Sequence, residues 1–290
     1  MTTLWRERPV GVVGLGLIGG SIGLDLMALG VDVRALVHRE ATAERARQRG
    51  LASQVSIDPS VLTGCGLVLL ALPLDRLLEP SPELLAALPR EAVIADLASV
   101  KAPVLSVWEP LVPRFVASHP MAGTSGAGVE AGLPNLFRDR PWVATPSDHT
   151  DPAALEQVRA LAGALGARWL ECAAPDHDRA VALISHLPVL VSAALLRAAE
   201  RGAAAAAPRS ALPALVRALA SSGFADTTRV GGGNPELGTL MARSNSVAVA
   251  EALGHYRQAL DSLEDLLERQ DWEGLARELE GCRALRPEFL

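Results

Sequence analysis

VGVVGLGLIGGS, from Val10 to Ser21, is the stretch of sequence that decides the fold. Its first four residues predict a short buried strand, and Gly14, Gly16 and Gly19 then follow with the spacing GxGxxG. In this spacing the first glycine permits a tight turn, the second lets a pyrophosphate approach the backbone, and the third lets a helix pack closely on the strand. The pyrophosphate rests on the positive N-terminal end of that helix. A strand, a glycine turn and a helix in this order predict a dinucleotide-binding fold.

The composition predicts a soluble cytoplasmic protein of one or two domains. Of the 290 residues, 49% are hydrophobic, which is enough for a substantial core. The net charge of -6 argues against a general nucleic-acid or anionic-membrane partner. Three cysteines without CxxC spacing indicate neither a disulfide framework nor a zinc site, and we expect no metal. The apolar run from Val10 is broken by glycines and Asp25, which favours a strand, turn and helix over a membrane span.

Apolar, β-branched runs alternate with helical patterns up to about Cys172. The predicted strands are Val10–Val13, Val33–Val37, Leu67–Leu72, Ala92–Asp96, Phe115–Ser118, Trp142–Thr145 and Arg168–Cys172. The predicted helices between them include Ile18–Leu29, Ala41–Arg49, Pro82–Leu88 and Pro152–Leu165. This alternation predicts an α/β fold with an N-terminal Rossmann-type, doubly wound, mainly parallel sheet that helices cover on both faces.

The pattern changes after Pro175, where helices replace strands. Asp176 is the predicted N-cap of a long apolar helix, which Pro188 is expected to kink or interrupt. We therefore predict a dinucleotide-binding domain over residues 1–173 and an all-helical substrate and dimerisation domain over residues 174–290.

Leucine- and alanine-rich stripes in the second half exceed what a small helical bundle needs. One of them comprises Leu253, Tyr256, Leu260, Leu263 and Leu267. We expect a homodimer that buries this surface through the helical domain, and a simple internal core is the alternative.

The end of the second predicted strand bears on the choice of dinucleotide. Val37 is followed there by His38 and Arg39, whereas NAD enzymes place a carboxylate at the strand tip to bind the ribose 2′-hydroxyl. Glu40 stands one or two positions too late for that role. The planar fork of an arginine suits a 2′-phosphate, so we predict NADP as the cofactor. The alternative is that Arg39 is a solvated loop charge and that both cofactors are accepted.

Two further polar segments follow predicted strands. Ser99 and Lys101 come after one strand and His119 comes after the next, so all three are expected at the carboxyl edge of the sheet, where open α/β folds bind ligands. For Lys101 a cofactor contact and a helix-start charge fit equally well. His119 is well placed to face a substrate, and a structural histidine is the alternative. The pair His177 and Asp178 is interpreted as a helix-terminal polar cluster and not as a pair of metal ligands.

GLGLIGGS, DLASVK, SHPMAGT, DHDRAVALISHLPV and SSGFADTTRVGGGNPELGTLM occur in this order along the chain. In these segments, between about Val10 and Arg269, the sequence resembles the prephenate/arogenate dehydrogenase family of tyrosine biosynthesis. The resemblance is closest to the cyanobacterial-type, NADP-dependent arogenate dehydrogenases. It implies oxidative decarboxylation of arogenate to tyrosine with hydride transfer to NADP. The alternative is a prephenate dehydrogenase that forms 4-hydroxyphenylpyruvate with NAD(P).

The resemblance also implies roles for single residues. His119 matches the histidine that hydrogen-bonds the ring hydroxyl of the substrate, and Ser99 matches a serine near that histidine and the nicotinamide. Arg229 matches the arginine that binds the ring carboxylate, which in a dimer the partner subunit could supply. Neutral histidine suits a base that works near neutral pH.

Two positions depart from the family pattern. His186 matches the first histidine of an HLPH motif, but the motif reads HLPV here because Val189 replaces the second histidine. Ser125 stands where some prephenate-specific relatives carry an acidic residue. Both departures favour arogenate, whose side chain carries an amine as well as a carboxylate.

The complete set of predicted site residues is as follows. The cofactor-binding residues are Gly14, Leu15, Gly16, Leu17, Ile18, Gly19, His38, Arg39, Leu72, Ser99 and Lys101. The catalytic residues are His119 and Ser99. The substrate-binding residues are Arg229, His186, Thr124, Ser125 and Gly123. Two other interpretations are a β-hydroxyacid dehydrogenase, which uses a lysine base and leaves SHPMAG unexplained, and a non-catalytic NADP-binding sensor.

Overall fold

The structure is a computed structural model that describes residues 4–124, 126–205, 207 and 210–289. In this part of the chain eight strands form one sheet. The strands are β1 (Val10–Val13), β2 (Val33–Leu36), β3 (Gln54–Ser56), β4 (Leu67–Leu70), β5 (Val93–Asp96), β6 (Phe115–Pro120), β7 (Pro141–Ala144) and β8 (Arg168–Glu171). Their order across the sheet is β3-β2-β1-β4-β5-β6-β7-β8.

The first six strands are parallel, and β7 is antiparallel to β6 and parallel to β8. The order of these six strands is that of the doubly wound dinucleotide-binding fold, in which ligands bind at the carboxyl ends of the strands. The predicted α/β fold, with a mainly parallel sheet followed by helices, is confirmed. One strand, β3, was not predicted, because its three residues are too few and too polar to show a strand pattern.

Helices cover both faces of the sheet. The helices of this region are α1 (Leu17–Ala28), α2 (Glu40–Gln48), α3 (Leu74–Leu78), α4 (Pro82–Ala87), α5 (Ala102–Trp108) and α6 (Pro152–Ala164). One core cluster lies under α1 and α6 and includes Ile22, Trp142 and Leu161. The second lies under α3 to α5 and includes Leu77 and Trp108. The central strands β1, β4 and β5 are buried along their whole length because both faces are covered.

The chain after β8 is helical. Its helices are α7 (Ala174–Val181), α8 (Leu187–Ala204), α9 (Leu212–Leu219), α10 (Ser222–Thr228), α11 (Pro235–Ser244), α12 (Ser246–Glu268) and α13 (Trp272–Leu285). The predicted N-cap was wrong, because α7 begins at Ala174 and Asp176 lies in its first turn. Pro175 fits in that turn because the first backbone N–H groups of a helix have no intrahelical partner.

A wide π-helical turn, Ala182–His186, joins α7 to α8 without a break. Pro188 follows this turn and has no N–H to donate to the preceding turn, which accounts for the local departure from α-helical geometry. The expected interruption at Pro188 is therefore a change of helix type and not an end of the helix.

The run Ala174–Ala204 is long and apolar enough to cross a membrane when judged by length and composition alone. Only 22% of its most apolar window is buried within the chain. Other helices of this region also expose large apolar side chains. These include Leu195, Leu196, Leu215, Leu219, Leu253, Leu260, Leu267 and Leu279. The helical region thus leaves a broad apolar surface uncovered in the single chain.

Candidate active site

The glycine turn between β1 and α1 forms an open cradle at the carboxyl edge of the sheet. Gly14 has a φ of 92°, and a Cβ atom there would lie 2.5 Å from the carbonyl oxygen of Ala71. A Cβ atom on Gly19 would lie 2.0 Å from the carbonyl oxygen of Gly14. At Gly16, by contrast, no described residue other than its chain neighbours has an atom within 4 Å of the Cβ position, and the Gly16 N-cap supplies no side-chain hydrogen bond to the start of α1. The free amides at this helix start fit the pyrophosphate of a dinucleotide.

The residues around the cradle differ in what they can offer a cofactor. The Leu15 side chain is buried in the core, so only its backbone faces the turn. Leu17 and Ile18 are half-buried in the first turn of α1. Leu72, just after β4, is half-buried, and its side chain would lie 3.6 Å from a Cβ atom on Gly14.

The tip of β2 is followed by two basic residues. His38 and Arg39 are exposed beyond the strand. The Glu40 carboxylate forms an ion pair with Arg47, at 2.9 Å, two turns further along α2. Within the described residues the Arg39 guanidinium forms no hydrogen bond or ion pair. Its donors therefore remain available to a ligand.

Lys101 lies beneath the cleft and not in it. Its side chain is 0% exposed, and its Nζ atom donates to the Asp96 carboxylate and, at 2.6 Å, to the carbonyl oxygen of Ser118. The predicted cofactor contact of Lys101 therefore does not fit the structure, because a buried carboxylate draws the ammonium under the strand ends. Ser99, two residues earlier in the segment after β5, is half-buried, and its role at the cleft stays a prediction.

Asp96 and Lys101 hold the end of β6 in place. Burial raises the pKa of Asp96 and lowers the pKa of Lys101, while their mutual attraction opposes both effects. Asp96 also accepts hydrogen bonds from the backbone N–H of Ala98, at 3.0 Å, and of Ser118, at 3.2 Å. Ser118 precedes His119 directly, so this buried pair fixes the backbone that carries the predicted base.

His119 is the penultimate residue of β6 and lies at the carboxyl edge of the sheet. Its side chain is partly buried, and its Nδ1 atom lies 3.0 Å from the Nε2 atom of His177. Burial lowers the pKa of His119 well below its ordinary value, and the nearby Lys101 ammonium lowers it further. The imidazole is therefore neutral at pH 7, and its Nε2 atom has no hydrogen-bond partner among the described residues.

His177 and Asp178 connect the helical region to this base. Both residues are buried on α7, and the Nδ1 atom of His177 lies 2.8 Å from the Oδ1 atom of Asp178. Asp178 also accepts from the backbone N–H of Lys101 and Ala102, at 2.7 and 2.8 Å, which caps the start of α5. The sequence interpretation as a helix-terminal polar cluster missed the contact with His119. The available signal was a polar pair on the buried side of an apolar helix.

His186 supplies a second polar group close to His119. It is 2% exposed, and its Nε2 atom has no hydrogen-bond partner among the described residues. Its Nδ1 atom lies 3.4 Å from the Nδ2 atom of Asn245, which also donates to the carbonyl oxygen of Asp178 at 2.7 Å. Because a carbonyl can only accept, the amide nitrogen of Asn245 must face both groups. His186 then accepts at Nδ1 and, when neutral, presents an N–H donor at Nε2.

The other predicted substrate residues lie on surface segments. Arg229 is exposed at the end of α10, and the following turn is held to α8 by a hydrogen bond from the N–H of Gly231 to Ser192, at 2.8 Å. Gly123 and Thr124 are exposed in the loop after β6, where Thr124 accepts from the N–H of Gly126 at 3.1 Å. Ser125 lies outside the described residues. The substrate roles of these residues stay predictions.

Two family models match adjoining parts of the chain. The prephenate dehydrogenase nucleotide-binding domain matches residues 22–171, and the prephenate dehydrogenase dimerization domain matches residues 173–281. The chain belongs to the prephenate/arogenate dehydrogenase family. It is similar, with 30% identity over 92% of this chain and 91% of the relative, to a cyclohexadienyl dehydrogenase of Zymomonas mobilis.

Solved structures of the family have the same fold. A Synechocystis arogenate dehydrogenase is 40% identical, with a TM-score of 0.81 over 97% of this chain and 100% of that one. A prephenate dehydrogenase from Aquifex aeolicus, in complex with hydroxyphenyl propionate and NAD+, is 25% identical, with a TM-score of 0.88 over 98% of each chain. These relatives support an oxidoreductase of tyrosine biosynthesis that uses a nicotinamide dinucleotide.

We expect Lys101→Met to lower the free energy of unfolding by about 3–5 kcal/mol, because it leaves the buried Asp96 carboxylate without its cation. Urea denaturation measures the change. Adding Asp96→Asn should restore part of the loss, since the neutral amide removes the buried charge. Arg269→Met, which breaks an exposed ion pair with Asp265, is the control and should cost about 0–1 kcal/mol. Equal costs for Lys101→Met and the control would contradict the structural role of the buried pair.

Proposed function

We propose that this chain oxidatively decarboxylates arogenate to tyrosine with NADP as the hydride acceptor. The observation that carries the proposal is the neutral His119 imidazole at the carboxyl edge of the sheet, held through Nδ1 and free at Nε2. The edge is shared with the glycine cradle, so a substrate hydroxyl bound at Nε2 would lie on the cofactor side of the fold.

The residues of the chain account for the proton and the orientation of the substrate. When bound, the nicotinamide accepts the hydride from ring carbon C4. His119 accepts the proton of the C4 hydroxyl as the carbon–oxygen double bond forms. The C1–carboxylate bond then breaks, its electron pair restores the aromatic ring, and carbon dioxide leaves. The phenolate oxygen regains the proton from His119, which returns the base to its neutral form.

Positioning is assigned to donors around this base. The free N–H of His186 at Nε2 suits a substrate carboxylate, because a buried donor without a partner is costly and an anionic acceptor satisfies it. We assign the second carboxylate to Arg229, and further contacts to Ser99, Gly123, Thr124 and Ser125. A bidentate arginine contact would fix the ring relative to the nicotinamide, which is the main task left to the protein.

Two residues favour arogenate over prephenate: Val189 stands in place of a second histidine, and Ser125 stands in place of an acidic residue. The 40% identity to a protein described as an arogenate dehydrogenase favours the same substrate. Prephenate remains the second candidate, because relatives described as prephenate dehydrogenases match nearly the whole chain.

NADP is favoured over NAD by the tip of β2. The Arg39 guanidinium has free donors for a 2′-phosphate, whereas Glu40, which could bind a 2′-hydroxyl, is engaged by Arg47. Gly14, Leu15, Gly16, Leu17, Ile18, Gly19, His38 and Leu72 complete the proposed cofactor site.

We also propose a cytoplasmic homodimer, divided into a dinucleotide-binding domain of residues 1–173 and a helical domain of residues 174–290. The exposed leucines of the helical region support self-association, since apolar surfaces of this extent are normally covered. The description of the matching family model as a dimerization domain supports the same arrangement.

The four combinations of arogenate or prephenate with NADP or NAD test the proposal directly. We expect reduction of the dinucleotide, followed at 340 nm, to be fastest with arogenate and NADP. A higher kcat/KM with prephenate would replace the proposed substrate by the second candidate. No reduction in any combination would reject the proposed dehydrogenase function.

His119→Gln should lower kcat by roughly 10²-fold or more and leave NADP affinity nearly unchanged, because the amide cannot accept the hydroxyl proton. The control is His149→Gln at an exposed histidine, for which we expect wild-type rates. In the wild type kcat/KM should stay constant down to about pH 6.5 and fall only in more acidic solution, because the lowered pKa of His119 keeps the base neutral. A midpoint above about pH 7 would contradict this assignment.

Arg39→Ala should weaken NADP binding at least about tenfold while changing NAD affinity by less than about threefold, since only NADP carries the phosphate that the guanidinium would bind. Arg159→Ala, an exposed arginine on α6, is the matched control and should change neither affinity. Equal losses for the two cofactors with Arg39→Ala would rule out the 2′-phosphate contact. Isothermal titration with each cofactor provides the measurement.

A further inference from the structure

We propose that Asp178 and His177 are positioning residues that set the tautomer of His119 and so keep its basic nitrogen on the side of the substrate. The contacts among these three residues carry the inference, and its catalytic consequence rests on the proposed function. Neither residue touches the dinucleotide cradle. Their effect would be exerted through His119.

The first step is the direction of the hydrogen bond between Asp178 and His177. Both oxygens of Asp178 already act as acceptors, since Oδ1 accepts from the backbone N–H of Lys101 and Oδ2 from that of Ala102. The Oδ1 atom also contacts the Nδ1 atom of His177 at 2.8 Å. The ring must therefore donate this bond, which places the proton of neutral His177 on Nδ1.

The second step is the contact between the two imidazoles. With its proton on Nδ1, neutral His177 offers a lone pair at Nε2, and this atom lies 3.0 Å from the Nδ1 atom of His119. The contact is a hydrogen bond only if His119 donates from Nδ1. Neutral His119 then has its lone pair on Nε2, which is the nitrogen that the proposed reaction needs.

This arrangement opposes the intrinsic preference of the side chain. Free neutral histidine favours the tautomer with its proton on Nε2, in which the outward nitrogen of His119 would be a donor and not a base. Burial strengthens the control, because His177 and Asp178 are only 3% and 5% exposed and water cannot readily replace their partners. The amide of Asn245 fixes the backbone of Asp178 as well.

Asp178→Asn tests the two hydrogen bonds that link Asp178 to His119 through His177. Asparagine has only one acceptor oxygen. With that oxygen on the N–H of Ala102, its amide group takes the place of Oδ1 and donates to the Nδ1 atom of His177, while the N–H of Lys101 loses its acceptor. The proton pattern of both imidazoles should then reverse. We expect ¹⁵N NMR of the imidazole nitrogens to show His119 protonated on Nδ1 in the wild type and on Nε2 in the variant.

The kinetic expectation separates positioning from binding. With the tautomer reversed, kcat should fall by up to about 10⁴-fold, the loss seen when the aspartate that orients the histidine of a Ser-His-Asp triad becomes asparagine. The KM for arogenate and the Kd for NADP should change by less than about threefold, because the groups that bind them are untouched.

A second pair of variants distinguishes a loss of positioning from a loss of folding. His177→Gln keeps an acceptor near the Nε2 position and should retain most of kcat, whereas His177→Leu removes the acceptor and should lose it. Val181→Ala, a buried residue on the same helix, is the control for loosened packing and should stay near wild type. If His177→Leu and Val181→Ala give equal kcat, the positioning role is wrong.

The two readouts also separate this inference from the proposed function. Reversal of the His119 tautomer in a protein that turns over none of the four substrate and cofactor combinations would support the positioning pair and reject the dehydrogenase assignment. Turnover of arogenate together with an unchanged His119 tautomer in Asp178→Asn would support the dehydrogenase assignment and reject the positioning role of His177 and Asp178.

Discussion

The buried carboxylate of Asp178 accepts hydrogen bonds from three nitrogen atoms that belong to two parts of the fold. Two are backbone N–H groups at the start of α5, on the sheet, and the third is the Nδ1 atom of His177, on the first helix after the sheet. A hydrogen bond to a charged group contributes about 1.5–3 kcal/mol, as much as the burial of one apolar side chain, and the two bonds from α5 also fix the orientation of α7 on the sheet. The position of the base relative to the helices depends on it.

Beneath this contact, Asp96 and Lys101 form a second polar layer. Both side chains are fully buried. Asp96 accepts from the backbone N–H of Ser118, and Lys101 donates to the carbonyl oxygen of the same residue. Burying two charges brings little net stability, because desolvation offsets their attraction. What the pair provides is a fixed strand end beside His119. The same strand edge carries the glycine cradle, which brings a proton acceptor and a dinucleotide site to one side of the sheet.

The buried polar groups explain why a helix of membrane-spanning length and composition carries histidines. His177 and His186 lie on the run Ala174–Ala204, and both face the sheet edge near His119. The opposite side of the run is apolar and exposed. One helix therefore contributes to the site on one face and, in the proposed dimer, to self-association on the other.

Local patterns in the sequence determined the strands other than β3, the glycine turn and the change from an α/β region to helices. Each of these depends on neighbouring residues: burial selects apolar runs for central strands, and Gly14 and Gly19 are required where a Cβ atom would collide with backbone. The motif order also pointed to the family. The placement of His119 at the sheet edge followed from the rule for parallel strands.

Only the tertiary structure decided the partners of the polar residues. Lys101 was compatible with a cofactor contact until its pairing with Asp96 was visible. His177 was interpreted as part of a helix-terminal polar cluster, because 58 positions separate it from His119. Hydrogen bonds between distant segments produce no periodic pattern in a single sequence. They depend on which segments the fold brings together and not on the neighbours of each residue along the chain. Which ring nitrogen of each imidazole carries the proton is decided in the same way, by the hydrogen-bonding atom that faces the ring.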